Sequence, residues 1–221
     1  NYPKPSPAKI AADLFCKSFI DFLHKRNVED KEDLRKAFES ANYEIRKLNR
    51  DNVSNIDYLK NDFWACVACG GIIKESVLNL AYIGDCGVAV LDFKGNLKYK
   101  TKDDVKKVSL HIDSLGKDWR DPSWRRKVRE HYRNNPKEPN SYGALTGEEE
   151  AMYYVKTGMV KVEKEDFVLF YSDGMEELIF PRNSLTQTFL KHLRGHDLSE
   201  LKDACKKIAK KENLRKEGTL V

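Results

Sequence analysis

The 221 residues are 40% hydrophobic and 34% charged, with 40 basic and 35 acidic side chains and a net charge of +5. That is an ordinary globular mixture, long enough to bury a core, and its mild, interspersed basic excess argues only weakly for an anionic partner and does not compel nucleic acid. No apolar run approaches the roughly 18 residues of a membrane span and no signal peptide is visible, so the expected setting is cytoplasmic, without a membrane.

Ser6-Pro7 reads as an N-cap followed by proline at the first helical position, opening a helix over 8–24. Leu34, Ala37, Phe38, Ala41, Ile45 and Leu48 step by three or four, which predicts a second amphipathic helix running through Asn49. Apolar runs over 63–73 and 76–84 flank Lys74-Glu75 as a hairpin, and 88–93 and 97–99 flank Lys94-Gly95-Asn96 as another. Antiparallel strands in a meander exclude a doubly wound parallel sheet. Residues 101–142 are polar and irregular, and Thr146-Gly147-Glu148-Glu149 reads as a capping box opening a short helix to Tyr154. Strands over 159–162 and 167–171, helices over 183–193 and 197–211, and a strand start at 218–221 complete one α+β domain.

Two segments share a design. AYIGD (81–85) and LFYSD (169–173) are each an apolar strand, then a small residue, then an aspartate. If the two strands pair in one sheet, Asp85 and Asp173 come together, and like charges held close repel unless a cation sits between them. Hard carboxylate oxygens suit magnesium or manganese, and Glu177 reaches the same ion if a turn of helix follows Gly174. The competing reading is plain turn chemistry, which an aspartate before glycine commonly provides. Taken alone, the residues favour the turn.

IGDCGVAVLDFKGNLKYKTKDD (83–104) resembles the segment of metal-dependent PP2C-type protein phosphatases in which a strand ends in Gly-Asp and leads into a short hairpin. DFVLFYSDGMEEL (166–178) is similar to the family's late strand ending in Ser-Asp-Gly, and EDLRKAFESANYEIRKLN (32–49) and FWACVACGGII (63–73) resemble its second helix and the strand after it. LTGEEEA (145–151) occupies the place of the helix before the final strands. The resemblance implies a pair of antiparallel sheets in a sandwich flanked by helix pairs. It implies hydrolysis of phosphoserine or phosphothreonine in a phosphorylated protein substrate, with a water activated by Mg2+ or Mn2+ as nucleophile. Carried over by position, Asp173 is a central metal ligand, and Asp85 and Glu177 match ligands of a further, weaker ion.

Two departures qualify that expectation. The family's Asp-Gly motif and phosphate-binding arginine precede the first helix, and Asn1 stands only a few residues before it, so the domain over 1–221 is expected to be N-terminally incomplete. A terminal aspartate stands three residues before the threonine of the family's last strand, where this chain has Lys216, followed by Glu217. A cation there opposes metal binding. The alternative is therefore a catalytically inactive pseudophosphatase that binds a phosphoprotein or regulator.

The other features take blander readings. The five cysteines, Cys16, Cys66, Cys69, Cys86 and Cys205, lie mostly in apolar segments as reduced thiols. Cys66 and Cys69 have half-knuckle spacing but sit in an apolar strand without a second pair, so they read as core. The histidines (24, 111, 131, 192, 196) read as surface residues. The basic patch over 119–136 lies in the 101–142 insertion or flap, and reads first as a solvated flap, second as a phosphosubstrate contact, and last as a nucleic-acid surface.

Overall fold

The computed structural model describes residues 5–26, 28, 30–58, 63–118, 121–180, 184–195 and 198–211. In chain order the first elements are α1 (Pro7–Lys25), α2 (Lys31–Asn52), β1 (Ala68–Lys74), β2 (Val77–Ile83), β3 (Gly87–Leu91), β4 (Leu97–Lys100), α3 (Val105–Ser114) and α4 (Pro122–His131). A 3₁₀ turn (Glu149–Tyr154) follows, then β5 (Lys156–Lys161), β6 (Phe167–Tyr171), α5 (Asp173–Ile179), α6 (Ser184–Arg194) and α7 (Leu198–Lys211). Two compact units result, one of residues 1–85 and 102–161, the other of 86–101 and 162–221. Each holds a three-stranded antiparallel sheet, ordered β1-β2-β5 in the first and β4-β3-β6 in the second. The α+β class and two antiparallel sheets expected from the sequence are what the chain forms. No helix among the described residues is long and apolar enough to cross a membrane.

In the first unit both opening helices start where the caps place them. Ser6 Oγ accepts from the Lys9 amide at 3.1 Å, and Asp30 accepts from the amides of Glu32 and Asp33 at 2.8 and 3.0 Å. Phe15 and Phe19 of α1 meet Phe38 of α2 with ring centroids 4.9 and 5.6 Å apart, and this cluster packs with Ala68, Ala81 and Ile83 of the sheet. A side chain at Gly70 would sit 2.8 Å from the Phe19 ring, so the missing Cβ lets α1 lie down on β1. The β1–β2 turn is Glu75-Ser76, one residue later than expected. Both have positive φ (50° and 63°), the twist that two-residue hairpins need.

Three expectations are corrected here. The strand expected from residue 63 begins at Ala68, because Asn49 claims the backbone ahead of it: its amide donates to Trp64 O and its carbonyl accepts from Trp64 N. The capping box does not form. Thr146 is fully buried, Glu148 occupies the cap position without a side-chain cap bond, and Glu149 is drawn off to Arg46 at 3.0 Å. The 101–142 segment is not irregular throughout, since α3 and α4 pack through Val108, Ile112 and Val128.

What orders the 146–148 segment is a polar stripe on α2. Asn42, Arg46 and Asn49 are spaced four and three apart, hence on one face. Asn42 accepts from Gly147 N (2.8 Å) and donates to Glu148 O (2.8 Å), Arg46 Nε donates to Gly147 O (2.7 Å), and Asn49 donates to Thr146 O (2.8 Å). Gly147 has φ +91° and comes so near α2 that a Cβ would be 2.6 Å from Arg46 Cα. Asn49→Ala removes the bonds to Thr146 O and to the Trp64 amide and carbonyl and is expected to cost about 3 kcal/mol in urea denaturation. A loss under about 1 kcal/mol would show that the stripe is not what holds the segment.

In the second unit β3 is central, with Ala89 opposite Lys100 of β4 on one side and Leu169 of β6 on the other. Ala89, Leu91, Leu169 and Tyr171 face Met175 and Ile179 of α5, Phe189 and Leu190 of α6 and Leu201 of α7 in one buried cluster.

Candidate functional site

Asp173 follows from how β6 ends. Phe167–Tyr171 forms the strand as expected, Ser172 stays extended (φ −89°, ψ 163°), and Asp173 opens α5. Its half-buried carboxylate accepts from the Gly174 amide at 2.8 Å. Asp173 and Glu176 both lie in the first turn, where negative charge is favoured by the amides of a helix start. The turn of helix that the Glu177 expectation required is present. Glu177 lies within α5, and its side chain is outside the described part of the structure.

The strand end is seated by an omission. Gly87 pairs with Tyr171, and a Cβ on Gly87 would lie 2.3 Å from Tyr171 Cζ and 2.4 Å from its hydroxyl. The Tyr171 ring, 3% exposed, fills that space and meets Phe180, the C-cap of α5, edge-on at 5.4 Å.

Asp85 belongs to the first unit, in the turn after β2. Gly84 before it has φ +80°, and a Cβ there would be 2.3 Å from Val67 Cγ1, so the small residue is required. Asp85 is half-buried and its charge acts on the Tyr142 phenol. Burial pushes that phenol up, Arg133 and Arg129 pull it down, and Asp85 and Glu148 push it up, for a net rise. Tyr142 is held in place by its amide donating to Tyr132 O (2.8 Å) and its carbonyl accepting from Asn134 N (2.8 Å). Arg133, Asn134, Thr146 and Glu148 form a polar cluster beside it, with Arg133–Glu148 at 3.3 Å and Asn134–Glu148 at 2.7 Å.

The expectation that the two Asp-tipped strands pair in one sheet is corrected. β2 lies with β1 and β5, and β6 lies with β3 and β4. The chain changes sheets at Asp85, so β3, the strand that follows Asp85, is the one that pairs with β6. The donor types fit Mg2+ or Mn2+ in kind, being carboxylates without a thiol or imidazole. Among the described residues, no three His, Cys, Asp or Glu converge to hold a metal ion. Lys216 and Glu217 lie outside the described residues.

Sequence reasoning missed Lys100. Its ammonium forms an ion pair with Glu176 and lies 4.1 Å from the centroid of the Phe180 ring. It is the last residue of edge strand β4, one past the strand expected over 97–99, and edge lysines are ordinary. The cysteines are unbridged, and burial pushes the Cys66 thiol up to about 12. His24 and His131 are exposed as expected, whereas His111 is half-buried edge-on to Tyr132 at 5.7 Å, His192 is half-buried 3.6 Å from Glu200, and His196 lies outside the described residues.

Two outcomes are expected. Gly87→Ala forces the Tyr171 ring to move and costs about 1–3 kcal/mol by chemical denaturation, with unchanged stability overturning the seat. Because only the thiolate reacts, Cys66 resists iodoacetamide at pH 8 in the folded protein and reacts once urea unfolds it, as mass spectrometry of the peptides would show.

No family model matches the chain, and no curated protein sequence matches it. Solved structures do. The catalytic domain of the serine/threonine protein phosphatase PstP in complex with two manganese ions superposes with a TM-score of 0.53 at 19% identity, over 84% of this chain and 67% of that one. The Mycobacterium tuberculosis serine/threonine phosphatase PstP/Ppp gives 0.55 at 19% identity, over 92% and 75%. A bacterial serine phosphatase gives 0.56 at 12% identity, over 96% and 77%. The chain has the PP2C-like fold of the serine/threonine phosphatases.

Proposed function

We propose that this chain forms a phosphatase domain that hydrolyses phosphoserine or phosphothreonine in proteins, with Asp173, Asp85 and Glu177 holding Mg2+ or Mn2+. The observation that carries the reading is the strand register. β3 begins at Gly87, two residues after Asp85, and Gly87 pairs with Tyr171, two residues before Asp173. Counted along the chain, Asp85 and Asp173 each stand two residues from this pair, which supports the reading. The manganese ions of the PstP catalytic domain support the choice of cofactor. When bound, such an ion supplies Lewis-acid charge that offsets the negative charge of the phosphoryl group. The chain's own part is to fix the carboxylates: Gly174 N holds one oxygen of Asp173, and the Gly84 turn presents Asp85.

Lys216 favours a second reading. A lysine at a ligand position repels the ion, which suits a pseudophosphatase that binds a phosphoprotein without cleaving it. Manganese-dependent phosphate release from a phosphothreonine peptide separates the two. For the enzyme, Asp173→Asn is expected to lower kcat/KM by about 100-fold or more. Equal release by both proteins would remove Asp173 from the site. Phosphopeptide binding without release, and without manganese uptake by isothermal titration, would establish the second reading.

A further inference from the structure

α5 carries Asp173 but cannot hold itself in place. It has seven residues, and Ser172 makes no side-chain cap bond. Isolated helices shorter than about 12 residues are marginal in water, so tertiary contacts must set its position and its rotation about its own axis. On the inner face Met175 and Ile179 are buried against the sheet. Apolar burial is non-directional. A directional contact sets the turn more narrowly.

Lys100 has that property. It ends β4 opposite Ala89, and its neighbour Thr101 locks the strand end: the Thr101 amide donates to Val88 O at 3.0 Å, and the Val88 amide donates to Thr101 Oγ1 at 2.9 Å. From this fixed base the ammonium pairs with Glu176 in the first turn of α5 and lies over the ring of Phe180 at its C-cap. Phe180 in turn packs on Tyr171, the last residue of β6. Tyr171, Phe180, Lys100 and Glu176 therefore close around α5 from the strand that precedes it to the residue that ends it. Glu176 stands three residues after Asp173, on the same side of the helix. Its carboxylate is held by the sheet edge, so the direction of the Asp173 carboxylate is held with it.

We propose that Lys100 is a positioning residue for Asp173: a clamp on the edge of the β4-β3-β6 sheet that fixes the rotation of α5 and keeps the Glu176 carboxylate occupied. The clamp has two consequences for a cation site. It aims Asp173, and it withholds Glu176 from a divalent ion bound there. The inference rests on the reading of Asp173 as a metal ligand.

The test is built to keep net charge constant, because removing Lys100 alone would also change the local potential. Lys100→Met with Glu176→Gln deletes one charge of each sign. The full chain is compared with this double variant and with Lys100→Arg. The readouts are amide hydrogen exchange of 173–179 in metal-free protein and Mn2+ affinity by isothermal titration. The double variant is expected to exchange at least tenfold faster over α5 and to bind Mn2+ about tenfold more weakly, at a thermal midpoint close to wild type, with Lys100→Arg restoring both. Unchanged exchange over α5 in the double variant overturns the clamp. Faster exchange with unchanged Mn2+ affinity reduces Lys100 to a structural contact and overturns its positioning role. No Mn2+ uptake by the wild-type chain overturns the ligand reading of Asp173 instead, and the exchange rates still decide whether the clamp exists.

Discussion

No side chain can stand at position 87 while Tyr171 stays where it is, and the second unit is organised on that constraint. The Tyr171 ring occupies the volume a Cβ would need and becomes the surface on which Phe180 lies. Phe180 receives the Lys100 ammonium, and Lys100 receives Glu176. Each contact is modest by itself, an edge-on ring pair or a half-exposed ion pair being worth about 1 kcal/mol. Joined end to end they define where α5 starts, how it is turned and where it stops. A carboxylate at the end of a buried strand is then a rigidly presented group, which is the general requirement of a metal or phosphoryl site.

The first unit solves a different problem with a different device. The segment 146–148 is neither helix nor strand, yet Thr146 is wholly buried. A buried irregular backbone must still find partners for its amides and carbonyls. α2 supplies them from side chains: Asn42, Arg46 and Asn49 serve Thr146, Gly147 and Glu148 on one side, and Asn49 serves Trp64 on the other. The helix is thus amphipathic in an unusual sense, with an apolar stripe toward the sheet and a polar stripe toward backbone. Arg133, Asn134 and Glu148 continue this hydrogen bonding toward Tyr142, whose phenol feels the charge of Asp85.

Much of this was legible in the sequence wherever the determinant is local. The Ser6-Pro7 start, the step of three and four through α2, and the run from Phe167 to Tyr171 each depend on residues within a turn or two of one another. What was not legible depends on distant partners. Asp85 sits between two strands that belong to different sheets, and no periodicity in 76–93 says which sheet each will join. Thr146-Gly147-Glu148-Glu149 has the letters of a capping box, but Asn42, Arg46 and Asn49, about a hundred residues away, had already claimed that backbone. Nothing within four residues of Lys100 announces Glu176, 76 residues away.

The acidity of α5 is the last point that needs a physical account. Asp173, Glu176 and Glu177 lie within seven helical residues, and like charges three or four apart cost isolated helices about 0.2–0.5 kcal/mol per pair. The helix start offsets part of this for the first turn, and Lys100 neutralises Glu176. Asp173 and Glu177 stand four apart in sequence, a like-charge spacing that a seven-residue helix absorbs poorly through propensity. Under the proposed metal role of Asp173, a divalent cation bound at the start of α5 would offset this cost and give the acidic spacing a reason.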